Sequence, residues 1–285
     1  MLSRILMRAT FRRPPPVVTV VRLAGVIGQS GMFGARINME TVGPALQRAF
    51  RQPGLKAVAL EINSPGGSPA QSALIHNRIR ALAAERDVPV MAFVEDVAAS
   101  GGYWLATAAD EIFVDENSIL GSIGVVYSGF GLHEAIGKLG VERRLYTAGE
   151  KKSLLDPFLA ASPDDLDRLR RLQEGFHDNF KERIRARRGA RLAESDPDLF
   201  SGEFWLGRKA IGLGLADGIG DIRSVLRERY GRKVVMRKIG RPRGWLARRL
   251  RPGLLLAGDG EEAGSLAGDF LGAIEARLWW SRYGL

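Results

Sequence analysis

The sequence contains no cysteine. That absence excludes disulfides, thiolate metal sites and a cysteine nucleophile, and it suits a reducing compartment. Histidine is scarce, with three copies in 285 residues. His76, His133 and His177 are therefore the whole supply for any imidazole chemistry. No stretch approaches the ~20 consecutive apolar residues that cross a bilayer. The opening Met1-Leu2-Ser3-Arg4-Ile5-Leu6-Met7-Arg8 lacks the apolar centre of a signal peptide. Acidic residues are outnumbered, 32 against 42 lysines and arginines, which leaves a net charge of +10. Arginine runs near residues 4–13, 183–191 and 241–251 carry that excess. They come without a helix-turn-helix, a zinc-finger spacing or an aromatic stacking platform, so they read as solvated faces and tails and not as a nucleic-acid surface. A cytoplasmic protein is expected, with peripheral contact to an anionic inner membrane face as a further expectation.

What remains is a composition that folds. Hydrophobic residues make up 45% of the chain, enough for one large α/β domain or two small ones. Residues 1–16 form a basic arm ending in Arg12-Arg13-Pro14-Pro15-Pro16. Residues 17–236 carry the regular pattern. Residues 237–285 shift to Gly and Arg and end in an apolar-faced helical tail around Trp279-Trp280.

Within 17–236, β-branched runs alternate with helical spacing. Strands are expected at 17–23, 56–62, 90–94, 111–114, 141–146 and 233–236. Helices are expected at 39–50, 70–86, 129–140, 164–188 and 221–230. Such alternation argues for βαβ units and a mainly parallel sheet, whose sites gather at the carboxyl ends of strands. Two glycine turns lie at such ends: Asn63-Ser64-Pro65-Gly66-Gly67-Ser68 and Ala98-Ala99-Ser100-Gly101-Gly102-Tyr103. They are expected to converge in space.

Ser100 sits between a strand and a helix, where backbone N–H groups and the helix dipole favour developing negative charge. The same string also fits an ordinary helix N-cap. The N–H groups of Gly66 and Gly101 are candidate donors to an oxyanion. A serine nucleophile needs a base. His133 follows in the next helical segment. Lysine serves only if it is neutral, against a reference pKa of ~10.4, and Lys151-Lys152 follows the expected strand at 141–146. Both remain open on the residues alone.

Five strings in order resemble one family. They are Asn63 to Ser68, Ala98 to Trp104, Gly121-Ser122-Ile123-Gly124-Val125, Lys152-Ser153-Leu154-Leu155-Asp156-Pro157-Phe158, and Gly212 to Gly220. Together they resemble the S49 family of serine peptidases, the signal peptide peptidase A group, across about residues 17–236. The resemblance implies a ClpP/crotonase-like α/β fold built from βαβ units, with C-terminal helical elements. It implies a Ser-Lys dyad of Ser100 and Lys152, an oxyanion hole from Gly66 and Gly101, and a lysine-orienting Ser122. It implies peptide substrates, unfolded or signal-peptide-like, with no metal and no cofactor. Single-repeat members share the dyad between neighbouring subunits of a ring-shaped homo-oligomer, and burial at such an interface is expected to keep Lys152 neutral here. The membrane anchor usual in the family is not found in this sequence. A ClpP-like Ser-His peptidase, a crotonase-like acyl-CoA enzyme and a non-catalytic membrane-associated scaffold stand as alternatives.

Overall fold

The computed structural model describes residues 14–28, 37–149, 151–240, 277–278 and 280–283. Most of the expected N-terminal arm and of the C-terminal tail lies outside these residues. So does most of the Gly-rich loop after the first strand.

The elements run β1 (Val17–Ala24), α1 (Met39–Phe50), β2 (Leu55–Ser64), α2 (Pro69–Arg86), β3 (Val90–Ala99), α3 (Gly101–Ala106), β4 (Glu111–Val114) and β5 (Ile119–Gly121). They continue with α4 (His133–Lys138), α5 (Pro163–Arg188), β6 (Phe204–Leu206), α6 (Gly207–Gly212), β7 (Gly218–Ile219), α7 (Ile222–Tyr230) and β8 (Val235–Lys238). This is the mixed α/β architecture expected for the ClpP/crotonase-like class. The sheet runs β6-β5-β3-β2-β1-β8, with β4 also on β3 and β7 on β4. Its pairs are parallel except β5 with β6.

The central strands are apolar on both faces because both faces are covered. In β2, Val58, Leu60 and Ile62 face a large core shared with α1, α2 and α3, while Ala57 and Ala59 face a smaller core shared with Leu226 of α7. The side chains alternate as the strand period of two requires. Each fully buried Leu or Ile contributes about 1.5–3 kcal/mol relative to exposure. Local signals set the helix starts. Asn38 and Thr41 form a capping box on α1, and Ser68 and Ser162 cap α2 and α5 ahead of a proline.

β3 is longer than the apolar run suggests. It passes through Glu95 and Asp96, whose carboxylates meet Arg22 and Asn63. Its first half pairs with β4 through Met91–Phe93 and its second half with β5 through Val97–Ala99. One strand thus hands the sheet from one neighbour to another just before Ser100.

The strand expected at 141–146 does not form. Residues 141–147 are irregular, with Val141 56% and Tyr146 89% exposed. A β-branched run becomes a strand only where another backbone edge pairs with it, and this segment lies beside none.

Candidate active site

Ser100 stands in the turn between β3 and α3, at φ 51° and ψ −123°. A non-glycine residue there is strained, and such strain persists only where surrounding contacts enforce it. The enforcement is visible. The Ser100 N–H donates to the Gly121 carbonyl at 2.8 Å, and the Ser100 carbonyl accepts from Trp104 N–H at 3.0 Å. Behind the turn, a Cβ on Gly102 would stand 2.3 Å from the Ser64 carbonyl oxygen. Only a glycine lets α3 start this close to β2.

The two glycine turns do converge. A Cβ on Gly66, which has φ +106°, would stand 2.8 Å from the Ser100 Cβ and 2.9 Å from Gly101 N. Gly101 opens α3, so its N–H has no intrahelical acceptor. The Gly66 N–H points at Ser64 Oγ across a long 3.3 Å. The next N–H, that of Gly67, lies 3.4 Å from where a Cβ on Gly101 would stand. Sequence reasoning passed over Gly67. Its neighbours Gly66 and Ser68 spend their backbone groups on Ile27, through Ile27 N–H to Gly66 O at 2.8 Å and Ser68 N–H to Ile27 O at 2.9 Å. The edge beside the Gly66 turn is therefore already taken by the chain itself.

Ser100 and Gly101 line a cavity of about 330 Å³. Its walls are apolar: Val26, Ile27, Trp104, Val125, Phe176 and Phe180. The Trp104 and Phe180 rings stack at 4.8 Å, which joins α3 to α5. The spacing of α5 marks Phe176 and Phe180 only as packing residues. Phe180 is buried, whereas Phe176 is 44% exposed and turns its ring to the cavity. Nothing in the helical period separates those two roles.

Ser122 lies one residue beyond Gly121 and shares the φ of Ser100, 51°. Its N–H donates to the carbonyl of Glu203, the residue that leads into β6, at 2.6 Å. Lys152 is not on the Ser100 cavity. It is exposed, on a turn where its N–H donates to the Gly149 carbonyl at 3.1 Å. The turn belongs to an arm, residues 126–160, tied to itself through Leu132 N–H to Pro157 O and the Arg143–Asp156 ion pair, and to α5 through Arg168, which donates to the Lys151 carbonyl at 3.1 Å. Ser100, Gly101, the Gly66–Gly67 turn and Ser122 are thus assembled within one chain.

None of the three histidines is among the residues that line the Ser100 cavity. His133 is exposed on α4. His177 is half-buried and holds the Ile123 carbonyl at 3.1 Å. His76 is buried in α2, and burial pushes its pKa down to about 4. Among the described residues no cluster of His, Asp and Glu has the arrangement of a metal site.

Fold and site together define a class: a parallel α/β protein presenting a strained serine at a strand-to-helix turn, beside a glycine turn and over an apolar cavity. The model of peptidase family S49 matches residues 83–234, more than half of the chain, and the chain belongs to that family. A putative signal peptide peptidase of Enterococcus faecium is 30% identical over 70% of this chain and 60% of its own length. Protease 4 of Haemophilus influenzae is 32% identical over 72% of this chain and 33% of its own length. A Brucella abortus protein named Na(+)/H(+) antiporter NhaA is 46% identical over all of this chain, which spans 39% of that longer protein. No helix among the described residues is long and apolar enough to cross a membrane. Two mutants of the 1510-N membrane-bound stomatin-specific protease align with TM-scores of 0.48 and 0.47 at 15% identity, covering 80% and 85% of this chain and 99% and 95% of theirs.

Proposed function

We propose that the chain is a serine endopeptidase whose dyad, Ser100 and Lys152, is shared between neighbouring copies of a ring-shaped homo-oligomer. The observation that carries this reading is the strained Ser100, pressed against Gly66 and opening onto an apolar cavity. The position of Lys152 supports the sharing. It is exposed on an arm away from the cavity, where a neighbouring copy can be reached.

In this reading Ser100 Oγ attacks the scissile carbonyl carbon and its proton passes to Lys152 Nζ. The carbonyl oxygen becomes an oxyanion held by Gly101 N–H and by the Gly66–Gly67 turn, with the Gly67 N–H the less committed of that pair. Collapse expels the amine, which takes the proton from Lys152. Water then hydrolyses the acyl-serine along the same proton path. Ser122 orients the lysine. The cavity suits a medium or large apolar side chain next to the cleaved bond, so unfolded or signal-peptide-like apolar segments are the substrates. The cysteine-free composition and the basic surface agree with a cytoplasmic protein that touches an anionic membrane face.

The rival readings receive less support. His133 shares with Lys152 the exposed arm off the cavity, so the lysine is preferred on the Lys152 to Phe158 motif; among the described residues the cavity lining holds no lysine or arginine for the phosphates of a nucleotide-bearing thioester.

The test mixes inactive variants. Ser100→Ala and Lys152→Ala are each expected to lose at least about 10³-fold in kcat/KM on apolar peptides. Dissociated together and reassembled at equal amounts, they restore about a quarter of wild-type activity, because about one site in four receives both intact groups. A mixture that stays dead places the dyad within one chain. Activity in Lys152→Ala alone removes the lysine from the mechanism.

A further inference from the structure

The C-terminal segment reaches back to the site. Residues 277–278 and 280–281 are helical, and a turn follows in which Tyr283 N–H donates to the Trp280 carbonyl at 3.0 Å. Contacts hold it. The Tyr283 ring meets Phe204 of β6 edge-on, with centroids 5.2 Å apart and planes at 74°. Phe204 pairs with Gly121 across the β5–β6 ladder, so the Tyr283 ring stands beside Ser122. Trp280 and Tyr283 are half-buried, while Leu278 on the other side is 58% exposed. Burial raises the Tyr283 pKa, and the Ser122 contact partly offsets the rise.

We propose that the face formed by Ser122 and Phe204 is a docking site for the chain's own C-terminal segment, and that Tyr283 there holds the seat that Lys152 of a neighbouring copy must take. The inference rests on the shared-dyad reading for its consequence, but not for the docking itself. The backbone of Ser122 is pinned by Glu203 and Gly124, which fixes the place of its side chain on this face. The Tyr283 ring, seated on Phe204 beside Gly121, fills the space a lysine side chain must enter to reach that hydroxyl. With the phenol in place the lysine is kept off, and Ser100 lacks its base. Ser122 is joined through Gly121 to the Ser100 N–H, so the tail occupies the edge of the nucleophile's own turn.

Hydrogen exchange on the full chain reads the docking without activity. In a Ser100→Ala background, which prevents self-digestion, the amides of residues 280–283 are expected to be protected. Tyr283→Ala and Phe204→Ala are each expected to abolish that protection. Peptidase assays on chains with Ser100 intact read the consequence. Tyr283→Ala is expected to raise kcat/KM about five-fold, the shift that loss of one aromatic contact supports. Tyr283→Phe, which keeps the ring, is expected to give a smaller rise. Exchange at residues 280–283 as fast as in an unfolded peptide overturns the docking. Intact protection with no gain in Tyr283→Ala overturns the competition. Full activity in Lys152→Ala overturns the shared dyad and the competition together, while the exchange result still decides the docking.

Discussion

His76 lies in α2 at 1% exposure, with Nδ1 3.2 Å from Asn77 Oδ1 and Nε2 without a partner among the described residues. Burial is the main force lowering its pKa to about 4, and the nearby Arg183 and Arg187 guanidinium groups of α5 add to it. The folded state therefore keeps the ring neutral where the unfolded chain, near 6.5, takes up a proton. Between those values the unfolded state binds more protons, so stability falls as pH falls. The stabilisation is complete above pH 6.5 and is lost progressively down to about pH 4. At pH 5 the loss is about 2 kcal/mol. Urea unfolding at pH 7.5 and pH 5 checks this. His76→Phe is expected to flatten the difference by about that amount, and an unchanged pH slope in the variant removes His76 as its source.

At the scale of elements, Asp217 joins parts of the chain far apart in sequence. Arg188, at the end of α5 and 3% exposed, gives it two bonds of 2.8 and 3.0 Å. Arg191 adds one of 2.9 Å and the Ile112 N–H of β4 another of 2.7 Å. Burial pushes the Asp217 carboxyl up, but these partners outweigh it and its pKa settles below the ordinary carboxylate range. Its stabilisation is therefore present above about pH 4 and is lost as pH falls below that. Asp217→Asn leaves the Arg188 charge buried and unpaired, and is expected to cost about 3–5 kcal/mol. Thermal unfolding reads the loss directly. Asp217→Asn combined with Arg188→Met is expected to recover part of it, since the stranded charge is then gone.

The string from Gly212 to Gly220 was legible in the sequence as a motif, but its partners were not, because Arg188 is one arginine among many in α5. The glycine turns were legible for a different reason: Gly66, Gly102 and Ser100 carry local constraints that any chain of this pattern must satisfy. The reach of β3 was not, since Glu95 and Asp96 interrupt the apolar run. Their pairing with Arg22 and Asn63 is a matter of neighbours, which one strand's pattern does not contain. The missing strand at 141–146 has the same cause in reverse. Its residues favour an extended edge, yet no edge stands beside them.

At the scale of the whole molecule, the arm of residues 126–160 and the adjoining face of α5 leave large apolar side chains in water. Phe130 is 82% exposed, Leu139 77%, Tyr146 89% and Leu172 52%. Grouped apolar exposure of this kind marks an interaction surface. The same arm carries Lys152, so the surface that would bury these side chains is the one that would deliver the lysine to a neighbouring cavity. A doubly charged variant, Phe130→Asp with Tyr146→Asp, is expected to dissociate the assembly. The fold should survive, because neither side chain contributes to either core. Sedimentation velocity is expected to move from an oligomer to a monomer, with unchanged far-ultraviolet dichroism and at least about a hundred-fold loss of peptidase activity. Raising the protein concentration should restore activity in the single variants before the double one. A fully active monomer would mean that Ser100 finds its base within its own chain.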